Sequence, residues 1–80
     1  MKLSIYSLKT VLFQGNASLL NCKTIAGEIT VLDKHEALIT ALSAGIIRII
    51  DENKEEKYFQ ITSGFLEVKP DSDVRVIVEQ

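Results

Sequence analysis

The segment from Asp73 to Glu79, with the sequence DVRVIVE, shows which kind of fold to expect. Valine occupies every second position, and Arg75, Ile77 and Glu79 alternate with the valines. A repeat of two residues places successive side chains on opposite faces of a β-strand, so the valines share one face. β-Branched residues also favour the half-buried surface of a sheet. The segment therefore predicts a strand with one face on a hydrophobic core.

The same period of two recurs along the chain, for example at Leu3 with Ile5 and at Phe59 with Ile61. Turn residues separate these stretches, and we interpret the four glycines, Gly15, Gly27, Gly45 and Gly64, in this way. Short strands between regular turn signals are typical of an antiparallel sandwich or barrel. We predict strands near residues 2–8, 10–14, 17–24, 28–32, 38–42, 45–51, 55–62, 64–69 and 73–79. We expect a core that includes Leu3, Ile5, Phe13, Ile25, Leu32, Ile49, Phe59, Leu66, Val68 and Val76.

One segment is ambiguous from local sequence alone. Residues 36–43 read EALITALS, and their propensities allow a two-turn helix as well as a strand. The following run, residues 45–50, is rich in β-branched residues and fits a buried strand. Within it, Ile47 and Ile49 form a purely apolar pair that should face the core, which leaves Ile46 and Arg48 on the outward face.

Composition limits the class of protein. The chain has 80 residues, 46% hydrophobic and 25% charged, as expected of one ordinary globular domain. Its net charge is −2, so the chain lacks the surplus of basic residues that nucleic-acid-binding proteins use for phosphate contacts. A single cysteine forms no intrachain disulfide, and no apolar run reaches the ~20 residues that span a bilayer. We expect a cytoplasmic protein.

Catalytic constellations are nearly absent. There is no glycine-rich phosphate loop, His35 is the only histidine, and Cys22 fits a small strand residue better than a nucleophile. The mixed charges of residues 51–57 indicate a hairpin tip rather than a metal site. We therefore expect no catalytic residue, no cofactor and no metal. Two alternatives remain open: an adaptor that binds a peptide by strand addition, and a small enzyme that uses His35 with Glu28 or Glu36.

Three ordered blocks carry a family resemblance. Residues 27–42 read GEITVLDKHEALITAL, residues 45–49 read GIIRI, and residues 63–68 read SGFLEV. In order and spacing they resemble the epsilon subunit of F-type ATP synthase, as does the opening hairpin with VLFQG at residues 11–15. The resemblance implies a β-sandwich of about ten strands followed by a helical hairpin, and it favours a strand over residues 36–43. The expected fold is thus all-β, an antiparallel β-sandwich of about nine to ten short strands in two sheets.

The resemblance also implies a function. Such a sandwich is a non-catalytic part of the rotor, which links the gamma subunit to the c-ring and couples proton flow to ATP synthesis at the cytoplasmic face of a bacterial inner membrane. In the family, ATP binding depends on the helical hairpin and not on the sandwich. Carried over by position, the c-ring-facing residues are Glu28 and His35. The gamma-facing residues are Leu38, Thr40, Leu42, Ile46 and Arg48.

Overall fold

The computed structural model describes all 80 residues and consists of β-strands joined by short turns. The strands are β1 (Lys2–Ser7), β2 (Val11–Thr24), β3 (Gly27–Val31), β4 (Leu38–Leu42), β5 (Gly45–Asp51), β6 (Glu56–Ile61), β7 (Ser63–Val68) and β8 (Asp73–Glu79). The chain has no helix of the length and hydropathy that crossing a bilayer requires. The all-β prediction is confirmed.

The strands follow the order β1-β8-β7-β4-β2-β5-β6, with β3 added to β2 and β1 also paired to β2. We call β1, β8, β7, β4 and the first half of β2 the first layer, and β6, β5, β3 and the second half of β2 the second layer. Their inward faces form one core, so the arrangement is a sandwich whose layers are joined through β2. The pairing is antiparallel except between β1 and β8, which run parallel from Lys2↔Asp73 to Ser7↔Val78.

The parallel pair and the strand count correct the sequence prediction. Alternation shows which residues face the core, but it carries no information on the direction of the neighbouring strand. The predicted strands 10–14 and 17–24 are one strand of 14 residues, β2, because Gly15 pairs with Leu3 in the β1–β2 ladder instead of forming a turn. A bulge between Ala17 and Leu19 bends β2 where it passes from β1 to β5. The total is eight strands.

The core unites the valines of β8 with the inward side chains of the other strands. It consists of Met1, Leu3, Ile5, Ala17, Leu20, Cys22, Val31, Leu42, Ile47, Ile49, Ile61, Leu66, Val68, Val74, Val76 and Val78. Phe13 and Phe59 are half-buried against it. The expected core positions Ile25 and Leu32 are wrong, since their side chains are 73% and 52% exposed. Ile25 lies in the β2–β3 turn and Leu32 follows the end of β3, where the strand alternation no longer sets side-chain direction.

The ambiguous segment 36–43 contains a strand, as the resemblance indicated. β4 pairs with β7 from Leu38↔Val68 to Leu42↔Gly64, and this ladder overrides the local preference for helix. Along β4, Leu38 and Leu42 point inward, and Ile39 is exposed on the outer face.

The loops gather at two ends of the sandwich. The N-terminal end holds Met1, the β3–β4 loop and the β7–β8 turn, joined by an ion pair between the Met1 ammonium and Asp33 and by the Lys34 N–H, which donates to Ser72 Oγ at 3.0 Å. The opposite end holds the β1–β2, β2–β3 and β4–β5 turns. The Ser43 N–H donates to the Lys23 carbonyl at 2.9 Å and joins the β4–β5 turn to the end of β2 beside the β2–β3 turn.

The β5–β6 turn gives a testable prediction. Asp51 Oδ1 accepts hydrogen bonds from the backbone N–H groups of Glu55 at 3.0 Å and Asn53 at 2.9 Å, and Oδ2 lies 3.6 Å from Lys57 Nζ. These groups, led by the Glu55 N–H, hold the pKa of Asp51 below its ordinary value. A lowered folded-state pKa contributes stability above the ordinary pKa of aspartate, and this stability is lost as the pH falls through the folded-state pKa.

We therefore expect Asp51→Ala to lower the thermal midpoint at pH 7, and the difference from the parent chain to shrink as the pH falls below 4, roughly the ordinary pKa of aspartate. The control is Glu52→Ala, at an exposed side chain in the same turn. Equal midpoints for the two variants at pH 7 would contradict the role given to the Asp51 carboxylate.

Candidate functional site

His35 lies in the β3–β4 loop at the N-terminal end. Its backbone N–H donates to the Leu32 carbonyl at 3.2 Å, and its ring Nδ1 is 2.8 Å from the Glu36 carbonyl oxygen. Because a carbonyl only accepts, Nδ1 carries the proton in this contact. The His35 ring is thus hydrogen-bonded to the backbone carbonyl of Glu36 and not to its carboxylate. The geometry does not provide the acid–base pair that the enzyme alternative needs from these two residues.

Glu28 lies near the start of β3, beside the β2–β3 turn at the opposite end. Val31 lies three positions further along the strand, which is about 10 Å at ~3.3 Å per residue, and His35 follows it along the chain. The structure therefore does not bring Glu28 and His35 together into one site, although sequence reasoning placed them on one ring-facing region. The carboxylate of Glu28 is exposed and accepts a hydrogen bond from Asn21 Nδ2 at 3.1 Å.

The outer face of β5 agrees with the prediction from alternation. Ile47 and Ile49 are buried in the core, whereas Ile46 is 52% exposed and Arg48 is half-buried beside it. Arg48 Nη1 donates to Glu56 Oε1 at 2.6 Å, which fixes the guanidinium over the neighbouring strand β6. An ion pair this exposed contributes little to stability, so we attribute to it the orientation of Arg48.

The residues predicted on β4 are distributed differently. Leu42 is 4% exposed and belongs to the core, Leu38 packs against the core, and Thr40 is half-buried. The side chain of Leu42 is thus not available to a partner, because it fills the space between the layers. The residue that β4 presents outward is Ile39. The period of two along LITAL carries this signal, and sequence reasoning did not apply it to β4.

Sequence reasoning also missed an exposed apolar patch on the outer face of the first layer. Ile39, Phe65 and Ile77 are all more than half exposed, and Phe65 lies directly across from Ile77 on β8 and from Ala41 on β4. We call these four residues the outer patch. Exposed apolar groups that adjoin one another mark interaction surfaces more often than isolated ones do. The alternation in DVRVIVE already placed Ile77 opposite the buried valines, which was the available signal.

Other chemistry is sparse. No group of three or more His, Cys, Asp or Glu side chains is placed to hold a metal ion. Cys22 is buried in the core, and this burial raises the pKa of its thiol to about 11. A thiol that stays protonated near neutral pH is a poor nucleophile, so Cys22 is a packing residue. The features that remain are outward-facing surfaces, which suit binding better than catalysis.

Comparison with known proteins decides the family. The family model described as ATP synthase, Delta/Epsilon chain, beta-sandwich domain matches residues 1–80. The chain belongs to this family. It is similar to the ATP synthase epsilon chain of Chromohalobacter salexigens, with 37% identity over 67 residues, which are 84% of this chain and 48% of that protein. The Shouchella clausii epsilon chain is 37% identical over 71 residues, 89% of this chain and 53% of that one.

The chain thus spans about half the length of these curated relatives and corresponds to the N-terminal sandwich of a non-catalytic subunit. Solved structures agree on the fold. A chain in the Euglena gracilis mitochondrial ATP synthase superposes over 100% of this chain and 51% of its own length, with a TM-score of 0.93 at 22% identity. A chain in the central stalk and c-ring structure of the Tetrahymena thermophila enzyme gives a TM-score of 0.83 at 21% identity, over 100% of this chain and 63% of its own.

Proposed function

We propose that the chain is a rotor part of an F-type ATP synthase, which binds the gamma subunit, rests on the c-ring loops and couples proton flow to ATP synthesis. The observation that carries the proposal is the family match over the whole of residues 1–80. The bacterial epsilon-chain relatives support a place in the membrane-bound complex. We place it peripherally, on the cytoplasmic face of a bacterial inner membrane. Two packed sheets with short turns suit a part that keeps its shape under load.

For the gamma contact we propose the outer face of β5 around Ile46 and Arg48. Ile46 is a large apolar side chain at an exposed position, and the Arg48 stem can cover further apolar surface while its head stays paired to Glu56. Burial of one branched side chain contributes about 1.5–3 kcal/mol. That corresponds to roughly tenfold to hundredfold in affinity. Ile46 is therefore the most informative single position on this face.

The β4 residues imply a wider contact. Ile39 lies on the outer face of the first layer and Ile46 on that of the second, and the two layers back onto a common core. A partner that covers both must curve around the corner formed by the β4–β5 turn. Within the proposed gamma-facing set, Ile39 takes the place of Leu42, whereas Leu38 and Thr40 lie on the inward side of β4 and offer a partner only their partly exposed edges.

For the ring contact we propose Glu28. Its carboxylate is exposed at the opposite end of the sandwich, where the apolar side chains of Ile25 and Leu8 are exposed as well. Polar and apolar groups together fit a contact with exposed loops. His35 lies at the N-terminal end, so a ring contact by His35 requires a second point of attachment and remains a separate prediction.

The proposal is tested by measuring whether the chain restores the coupling between ATP hydrolysis and proton pumping. Membranes that hold ATP synthase depleted of its epsilon chain are supplied with the 80-residue chain, and ATP-driven proton pumping is followed with a pH-sensitive dye. We expect the parent chain to restore pumping and Ile46→Asp to restore less at equal concentration. Phe59→Leu, a conservative change at a half-buried site, should restore as much as the parent. Binding without restored pumping would refute the coupling role.

A further inference from the structure

The carboxylate of Glu28 is held by a side chain from the neighbouring strand. Asn21 lies on β2, directly across from Thr30 of β3, and Glu28 is its diagonal neighbour. Asn21 Nδ2 donates to Glu28 Oε2 at 3.1 Å, to Thr30 Oγ1 at 3.0 Å and to the Ile29 carbonyl at 3.4 Å. A carboxylate and a carbonyl only accept hydrogen bonds, so the amide must turn its nitrogen toward β3. These contacts fix the orientation of the amide.

Lys23, the residue directly opposite Glu28 on β2, does not hold the carboxylate of Glu28. Lys23 faces Glu28 across the ladder but makes no ion pair with it within 4.0 Å. Its stem lies instead over Gly45, where Lys23 Cδ is 3.2 Å from the position that a Cβ would occupy. Opposite charges on facing strands would ordinarily pair. Here Lys23 does not pair with Glu28, and Asn21 is the side chain that binds the carboxylate.

The arrangement leaves one oxygen of Glu28 for a partner. Asn21 occupies Oε2, and Oε1 has no hydrogen bond within the chain. A glutamate side chain loses rotamer entropy when it is ordered. A contact made by a side chain that is already oriented avoids part of that loss on binding.

We infer that Asn21 is a positioning residue, which holds Glu28 in the orientation that the c-ring contact uses. The inference rests on the proposed function, because it takes Glu28 as the ring contact. Asn21 acts through Glu28 in this arrangement. Its removal therefore has an effect only while Glu28 is present.

The experiment compares two affinities of the full 80-residue chain, one for the isolated gamma subunit and one for the gamma–c-ring complex in detergent. The dissociation constant for gamma alone, divided by the dissociation constant for the gamma–c-ring complex, isolates the ring contribution. We expect Glu28→Ala to reduce this ratio. Asn21→Ala should reduce it by about threefold to tenfold, the range of a hydrogen bond worth roughly 0.7–1.4 kcal/mol. In the Glu28→Ala background, Asn21→Ala should change it by less than twofold.

The double-mutant cycle separates the possible results, because a merely structural role for Asn21 would act in both backgrounds. An unchanged ratio for Glu28→Ala refutes the proposed ring contact and the inference with it. A reduced ratio for Glu28→Ala, with an Asn21 effect that is absent or equal in both backgrounds, overturns the inference alone. The matched control is Lys23→Ala. If it, and not Asn21→Ala, shows the coupling, Lys23 positions Glu28 and the inference is wrong. Thermal midpoints of all variants confirm that the chains are folded.

Discussion

Ile47→Asp should unfold the isolated domain, whereas Ile46→Asp should leave it folded and weaken its binding to the gamma subunit. The two residues are neighbours on β5, but Ile47 is 1% exposed in the core and Ile46 is 52% exposed on the outer face. A carboxylate at position 47 would be buried without a partner, and that penalty is several kcal/mol in real proteins. The whole stability of an 80-residue domain is roughly 4–12 kcal/mol. One such charge therefore removes much or all of it.

At position 46 the same carboxylate remains in water. We expect the thermal midpoint of Ile46→Asp to stay within a few degrees of the parent value, since exposed substitutions change stability by about 0.5 kcal/mol or less. Affinity for gamma should fall by about tenfold or more, because the apolar contact is lost and a charge is introduced. Circular dichroism melting and titration with gamma measure the two effects. A stable Ile47→Asp beside an unfolded Ile46→Asp would invert the assignment of faces and remove the basis of the gamma contact.

The second large effect is expected at Gly64, where a single added methyl group meets backbone. Gly64 lies in β7 between β4 and β8, paired with Leu42 on one side and Val78 on the other. A Cβ at this position would lie 2.5 Å from the Ile77 carbonyl oxygen and 3.3 Å from Val78 Cα. Neither neighbour can retreat without disturbing the β7–β8 ladder. We expect Gly64→Ala to cost about 1–3 kcal/mol, the usual range for overpacking.

The control for Gly64→Ala is Phe65→Ala, the next residue on the same strand. Phe65 is exposed on the outer patch, so removal of its ring leaves the interior intact. Addition of one carbon at position 64 should thus lower the thermal midpoint more than removal of an aromatic ring at position 65. A larger loss for Phe65→Ala would mean that the outer patch supports the fold, and that β7 has room to move away from β8.

Alternation predicted the parts of the fold that depend on one face being buried. The buried valines of β8 are confirmed. So is the division of β5, with Ile47 and Ile49 inside and Ile46 and Arg48 outside. Alternation is informative in these strands because a shift of one residue would exchange the core and solvent faces. Sequence reasoning failed where backbone geometry decides. Gly15 and Gly64 were interpreted as turn glycines, yet both lie inside strands. At Gly64 the backbone of β8 approaches too closely for a side chain, and the local sequence gives no sign of this contact.

The surface was harder to predict than the core. Glu28 and His35 are seven residues apart in the sequence. They lie toward different ends of the sandwich because β3 runs between them. Asn21 was not predicted at all, since its contact with Glu28 follows from the β2–β3 register, and the register depends on the turn. The resemblance indicated the family, and only the three-dimensional structure shows which side chains this chain exposes on its surface.

The central claim is that the chain turns as part of the rotor, and rotation tests it directly. A bead is attached to the chain through Glu52→Cys, an exposed position in the β5–β6 turn. This turn lies at the N-terminal end, away from Glu28, because the Glu52 N–H donates to the Asn16 carbonyl and the next residue, Ala17, is hydrogen-bonded to Met1. Cys22 stays unlabelled because it is buried with a raised thiol pKa. The labelled chain is assembled into ATP synthase that lacks its own epsilon chain and is immobilised by the catalytic head. We predict that the bead turns when ATP is supplied and stops when ATP is removed. A bead that binds stably but stays still, while a bead on gamma in the same preparation turns, would contradict the account.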